Sequence, residues 1–204
     1  MKQQAHIVDD DEAIRDSLSW LLQSRGVANL TYPSAEDFLE AWTPALSGCL
    51  LLDIRMQGMS GTELFEQLLE RGNRMPVIFL TGHGDVPMAV STLKRGAFDF
   101  VEKPCNDNDL VDRVLEALKL DKARCAAAAT SDSVNAQISQ LTARERQVMA
   151  LVLAGKLNKV IADELQISMR TVEVHRASLL EKMEVRTAVE LAQKLAASSG
   201  KPAV

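Results

Sequence analysis

Three carboxylates, Asp9, Asp10 and Asp11, follow directly on the apolar run 5–8, and a fourth, Asp53, closes the run CLLLD at 49–53. Two further apolar runs end near groups of complementary chemistry: PVIFL at 76–80 leads into Thr81 and Gly82, and FDFV at 98–101 precedes Lys103 and Pro104. Carboxylates crowded together repel and cost free energy unless a cation neutralises them. Oxygen-only ligands at this density suit Mg²⁺, which keeps several waters and uses one or two carboxylates. Taken singly, an aspartate after a strand is more often a helix cap. The weight lies in four run ends that each supply a polar group of matching chemistry.

Such groups need a scaffold that brings run ends together. The runs 5–8, 27–31, 49–53, 76–80 and 98–101 alternate with helical patterns, for example Ile14, Leu18, Leu21 and Leu22 at spacings of three and four. Ser34 with Asp37, and Ser60 with Glu63, have the spacing of capping boxes at helix starts. Nearly continuous apolar strands separated by helices predict an α/β domain over 1–120, a doubly wound five-stranded parallel sheet covered on both faces. In such sheets ligands bind outside the carboxyl ends of the strands. Residues 121–137 lose apolar periodicity and are rich in alanine, which predicts a linker, helical or not, that buries little. From 138 to 204 only helical patterns remain, opened by Thr142 and Glu145 at capping-box spacing, and predict a small all-α domain of four helices.

The front region resembles the receiver domain of two-component response regulators, through VDD at 8–10, LLLDIRMQGMSG at 50–61, LTG at 80–82 and KP at 103–104. The resemblance implies a flavodoxin-like fold in which Asp53 accepts a phosphoryl group from a sensor histidine kinase. It implies that Asp9, Asp10, Asp53 and the backbone carbonyl of Arg55 hold Mg²⁺, and that Thr81 and Lys103 contact phosphoryl oxygens. Phosphoryl transfer is mainly positioning plus neutralisation of charge on the equatorial oxygens, which suits a metal and a lysine. Nearby Mg²⁺ and Lys103 are expected to keep Asp53 ionised. Thr81 and Phe100 are the implied switch pair, and Phe100 is also a natural packing residue of the last strand. Two positions depart from the family pattern: Gln57 stands where proline is usual, and Cys105 where phenylalanine is usual.

The back region, with NKVIADELQIS and TVEVHR, resembles the LuxR-type helix-turn-helix, and its pairing with this receiver, including TGHGDVPMAV at 81–90, resembles the FixJ branch of response regulators. At 100° per residue, Val172, Leu179 and Met183 share one stripe, which leaves Arg170, Val174, Ala177 and Glu181 opposite and Glu173 beside them. An apolar Val174 or Ala177 on a wet face suits packing on a thymine methyl, and Glu173 can accept from a cytosine amine. Lys159, Arg170, His175 and Lys182 are placed for phosphates. The matched motif adds Thr171 and Arg176 to the expected DNA-binding set.

The net charge of −5 is unevenly spread. Residues 1–120 carry 11 Lys/Arg against 19 Asp/Glu, while 138–195 carry 9 against 7. A module with so small an excess should bind double-stranded DNA weakly alone and well as a pair. A homodimer formed on phosphorylation is therefore expected, through the family's usual surface at about 87–101 with Val90, Leu93, Lys94, Arg95 and Ala97. RNA polymerase is the further partner implied for a transcriptional activator. Three cysteines without metal-ligand spacing, short apolar runs and no export signal predict a cytoplasmic protein with no membrane partner. A Mg²⁺-dependent phosphatase with an aspartate nucleophile is the rival function. Its D-x-D motif wants Thr or Val at the fifth position, where this chain has Ala13, and it leaves the helix-turn-helix unexplained. A receiver that signals by protein contact alone is the third possibility. The expected protein is a regulator, not an enzyme beyond chemistry on its own aspartate.

Overall fold

The computed structural model describes residues 3–82 and 86–198, with the side chains of 86–89 left aside. The chain divides into two compact units, Met1–Cys125 and Ala126–Val204.

In the first unit the strands β1 (Gln4–Val8), β2 (Asn29–Tyr32), β3 (Gly48–Asp53), β4 (Val77–Thr81) and β5 (Asp99–Glu102) form one sheet in the order β2-β1-β3-β4-β5. Every pairing is parallel. The helices α1 (Glu12–Ser24), α2 (Ala35–Ala41), α3 (Gly61–Glu70), α4 (Val86–Lys94) and α5 (Asp107–Ser139) alternate with the strands. Period-two alternation splits β3 between two cores. Cys49 and Leu51 pack with Leu18, Leu22, Leu110 and Val114 of α1 and α5. Leu50 and Leu52 pack with Phe38, Leu64 and Phe65 of α2 and α3. The sheet is therefore apolar on both faces, as nearly unbroken hydrophobic strands require.

Local signals set the boundaries. The Asp11 side chain caps α1 by accepting from the amides of Ala13 (2.8 Å) and Ile14 (3.4 Å). Ser60 and Glu63 form a reciprocal capping box on α3. Ser34 caps α2 in one direction only: its hydroxyl accepts from the Asp37 amide and donates to the Asp37 carboxylate. The second strand starts at Asn29, two residues later than its apolar pattern suggested. Val27 is buried, but its amide donates to Leu22 O and closes the turn after α1.

The alanine-rich segment is helical throughout, and the expectation that it buries little fails at both ends. Asp121 is 2% exposed and accepts from the Gly48 amide at 2.8 Å. Val134 is 1% exposed and belongs to the core of the second unit, with Ile138 packed against that core. Single buried residues spaced far apart leave no periodic trace in a sequence window.

In the second unit the end of α5 is followed by α6 (Ala143–Leu153), α7 (Asn158–Leu165), α8 (Met169–Lys182) and α9 (Ala188–Ser198). They close around Leu141, Val148, Ile161, Val172, Leu179, Met183 and Leu191. A capping box of Thr142 and Glu145 starts α6, and Ser168 caps α8. No helix among the described residues is long and apolar enough to cross a membrane.

Candidate functional site

The parallel sheet brings the carboxyl ends of β1, β3, β4 and β5 side by side, because Val8 pairs with Leu52, Asp53 with Leu80, and Thr81 with Glu102. Lys103 reaches back over this edge. Its ammonium donates to Asp53 Oδ1 at 2.6 Å and to Asp9 Oδ2 at 2.7 Å. The other oxygen of each carboxylate accepts a backbone amide: Asp11 N to Asp9 Oδ1 at 2.9 Å, and Arg55 N to Asp53 Oδ2 at 2.9 Å. Thr81 is 1% exposed at the end of β4, and its carbonyl accepts from the Lys103 amide at 2.7 Å. That bond fixes where Lys103 leaves the sheet, and the next peptide, Lys103–Pro104, is cis.

Burial pushes the Asp53 carboxyl above its usual range; Lys103 and the Arg55 amide pull it down, and the charge of Asp9 pushes it up again. Lys103 is pulled down by burial, but its bonds to Asp53 and Asp9 and their charges prevail and raise it. One ammonium is thus shared between two buried carboxylates and does not by itself keep Asp53 in its ordinary range. The expectation that Lys103 favours an ionised Asp53 holds in direction, and burial outweighs it.

Asp10 is exposed, and its Oδ2 accepts from the Gln57 amide at 3.0 Å. Arg55 lies on the same loop, between β3 and α3. Among the described residues no three His, Cys, Asp or Glu side chains converge as a metal cluster. The donors available, Asp10, Asp53 and a backbone carbonyl, are all oxygen and include two carboxylates, a set that fits Mg²⁺ with waters completing its shell. Asp9 is satisfied as Asp53 is, with one oxygen on Lys103 and the other on a backbone amide, so it stands beside these donors as the remaining expected ligand.

Gly61 seats α3 against the site. A Cβ there would lie 2.0 Å from the backbone oxygen of Asp53, so only glycine lets the helix start this close to the strand end. Phe100 is half-buried and packs on the α2–α3 side of the sheet. Cys105 packs against the opposite core, with Phe98 nearby in the same cluster. Within the expected pairing surface, Val90 (41% exposed), Lys94 and Arg95 face outward, and Arg95 pairs with Glu66. Ala97 does not belong to that surface: it is a buried core residue, because the turn after α4 folds its amide onto Thr92 O. Leu93 also packs largely against that core. Residues 83–85 of the TGHGDVPMAV motif lie outside the described residues.

In the second unit α8 places Val172, Leu179 and Met183 inside and Arg170, Glu173, Val174, Ala177 and Glu181 outside. Val174 is 61% exposed, an apolar side chain left outside the core. Lys159 is exposed on α7, and His175 is half-buried. Thr171 shares a hydroxyl contact with Ser168 at the helix start, and Arg176 donates to Asn158 Oδ1 at 2.8 Å, tying α8 to α7. Lys182, expected at phosphates, has its ammonium on both oxygens of Glu145, at 2.9 and 2.8 Å, so its charge is already engaged within the unit. Glu145 is 4% exposed and also receives the Ser178 hydroxyl at 2.6 Å. A buried carboxylate needs a cation, and Lys182 supplies it. The capping-box spacing exposed Glu145 as a local feature, but nothing local links it to a lysine 37 positions on. The Gln57 amide is likewise invisible in sequence, since a backbone donor leaves no residue signature.

Residues 5–115 match the family model of the response regulator receiver domain, and residues 139–195 match that of the bacterial regulatory proteins of the luxR family. The C4-dicarboxylate transport transcriptional regulatory protein DctR of Rhodobacter capsulatus is 52% identical over 190 residues, 92% of this chain and 96% of that protein. The transcriptional regulatory protein FixJ of Bradyrhizobium diazoefficiens is 41% identical over 187 residues, 91% of each chain. Among solved structures, the response regulator StyR superposes with a TM-score of 0.90 at 42% identity, covering 96% of this chain and 98% of that one. Full-length FixJ from B. japonicum gives a TM-score of 0.59 at 38% identity, covering 98% of each.

Proposed function

The chain belongs to the DNA-binding two-component response regulators that join a receiver domain to a LuxR-type helix-turn-helix, and from that premise we propose that Asp53 is its phosphorylation site and phosphorylation its control. The observation that carries this is the shared ammonium: Lys103 bridges Asp53 and Asp9 at 2.6 and 2.7 Å at the strand ends. An oxygen of Asp53 attacks the phosphorus of a phosphohistidine on the sensor kinase, an O–P bond forms, and the N–P bond breaks with its electrons returning to the imidazole. Lys103 then stands beside the new phosphoryl oxygens, and the Arg55 amide holds the other carboxylate oxygen in place. Thr81, at the adjacent strand end, is the hydroxyl that turns toward the phosphoryl group. Phe100, half-buried above the sheet, takes up the space that Thr81 vacates. Asp9, Asp10, Asp53 and the Arg55 carbonyl would hold Mg²⁺, which when bound would supply positive charge to offset the transferring group.

Modification changes the surface around α4 and β5, two receivers pair, and two helix-turn-helix units engage adjacent half-sites of promoter DNA. α8 lies in the major groove with Glu173, Val174 and Ala177 at base edges, and Lys159 and Arg170 on phosphates. Recruitment of RNA polymerase and activation complete the reading, which places the protein in the cytoplasm. No substrate is turned over: the only covalent chemistry is gain and hydrolysis of the phosphoryl group on Asp53.

The test is exposure of the full chain and its Asp53→Asn variant to acetyl phosphate and Mg²⁺, followed by mass measurement and sedimentation. Modification and dimerisation of the wild type alone are expected. Multiple turnover of a phosphate ester that persists in Asp53→Asn would overturn the proposal in favour of a phosphatase.

A further inference from the structure

The loop from Asp53 to Ser60 is pinned through alternate backbone amides, each given to a carboxylate from a different part of the fold. Arg55 N donates to Asp53 Oδ2 at 2.9 Å, Gln57 N to Asp10 Oδ2 at 3.0 Å, and Met59 N to Glu36 Oε1 at 3.1 Å. The middle bond is the one that crosses from the β3–α3 loop to the β1–α1 loop. The Lys103 ammonium is engaged by Asp9 and Asp53. The Gln57 amide therefore gives Asp10 a positive partner when no cation is present.

We propose that the backbone N–H of Gln57 is a positioning group for the cation site: it holds the Asp10 carboxylate against the loop that carries Arg55. The inference rests on the assignment of Mg²⁺ to Asp9, Asp10, Asp53 and Arg55. A carboxylate oxygen has more than one lone pair, so Oδ2 can accept this N–H while the carboxylate still ligates a cation. A carboxylate already fixed in place loses less rotamer freedom on binding, which raises affinity. Both Gln57 and Asp10 are exposed, so this bond competes with water and its effect is moderate. The Gln57 side chain plays no part. A proline at this position, with no N–H to give, cannot make the bond.

Mg²⁺ binding to the unphosphorylated full chain, read by titration calorimetry, separates the amide from the side chain. Gln57→Ala keeps the N–H and should bind as the wild type does, while Gln57→Pro should bind about 3- to 10-fold more weakly. Equal or tighter binding by Gln57→Pro overturns the role of Gln57 and leaves the cation site standing. A wild type that binds no Mg²⁺ overturns the cation site itself, and this inference with it. Should Gln57→Pro not fold, the bond is read directly from amide exchange in metal-free protein. The Gln57 amide should exchange several-fold faster in Asp10→Ala than in the wild type, since an exposed residue has little other shelter. Unchanged exchange overturns the proposal.

Discussion

Adjacent aspartates with the same chemistry have been given different tasks by their neighbours. Asp10 faces the β3–α3 loop, while Asp11 turns back on its own helix and caps Ala13 and Ile14. Asp11→Ala should therefore cost about 1 kcal/mol of stability, the usual worth of an N-cap, with Mg²⁺ affinity nearly unchanged. Asp10→Ala should do the reverse, and calorimetric titration beside urea denaturation shows both outcomes. Glu145 is the corresponding case in the second unit. Burial pushes its carboxyl up, but the Lys182 ammonium, the Ser178 hydroxyl and Thr142 pull it down to about 2, from an ordinary 4.5. A folded-state value below the unfolded one means stabilisation present above about 4.5 and lost as pH falls toward about 2. The stability gap between wild type and Glu145→Gln should accordingly be widest near neutrality and shrink across that window, as denaturant melts at stepped pH values will register. Lys182→Ala should lower the stability of the second unit, whatever it does to DNA affinity.

Elements work here through how closely they approach. The first turn of α3 begins at Gly61, whose amide donates to Ile54 O at 3.0 Å, and the backbone oxygen of Asp53 fills the place of a Cβ. Alanine at 61 would help the helix by propensity, yet it would drive its Cβ against the backbone of Asp53. A net loss of about 1–3 kcal/mol is expected for Gly61→Ala, together with slower acetyl-phosphate labelling of Asp53. For α8 the informative quantity is which side chains remain outside once the core stripe is used. Val174→Lys should change the preferred DNA sequence, because it would replace the proposed apolar contact to a base edge. Lys159→Ala should weaken binding to all sequences alike and reduce its salt dependence. Selection from random DNA, repeated at two salt concentrations, distinguishes the pair.

At the scale of the molecule, the charge balance argues that one DNA-binding unit is a weak binder and that pairing makes the difference. Phosphorylated wild type should show roughly twice the dependence of log affinity on log salt that Asp53→Asn shows, since two units release two sets of counterions. Equal slopes would mean that phosphorylation leaves the DNA footprint unchanged.

The sheet, the helix order and the strand-end cluster were legible in the chain because each rests on local signals: apolar runs, capping spacings, and polar groups at run ends. The inward stripe of α8 was legible for the same reason, since Val172, Leu179 and Met183 follow helical period. Other features arise only when distant segments meet, and no window of sequence contains them. Lys182 looked like a free cation until folding set it on Glu145. Ala97 looked like surface until the turn after α4 closed over it, and Asp121 looked like linker until it met the Gly48 amide. Residue types and spacing by themselves determined which polar groups meet at the strand ends and which family the chain resembles. Tertiary structure decided which charges are spent on each other, because a buried charge takes whatever partner the fold brings within reach.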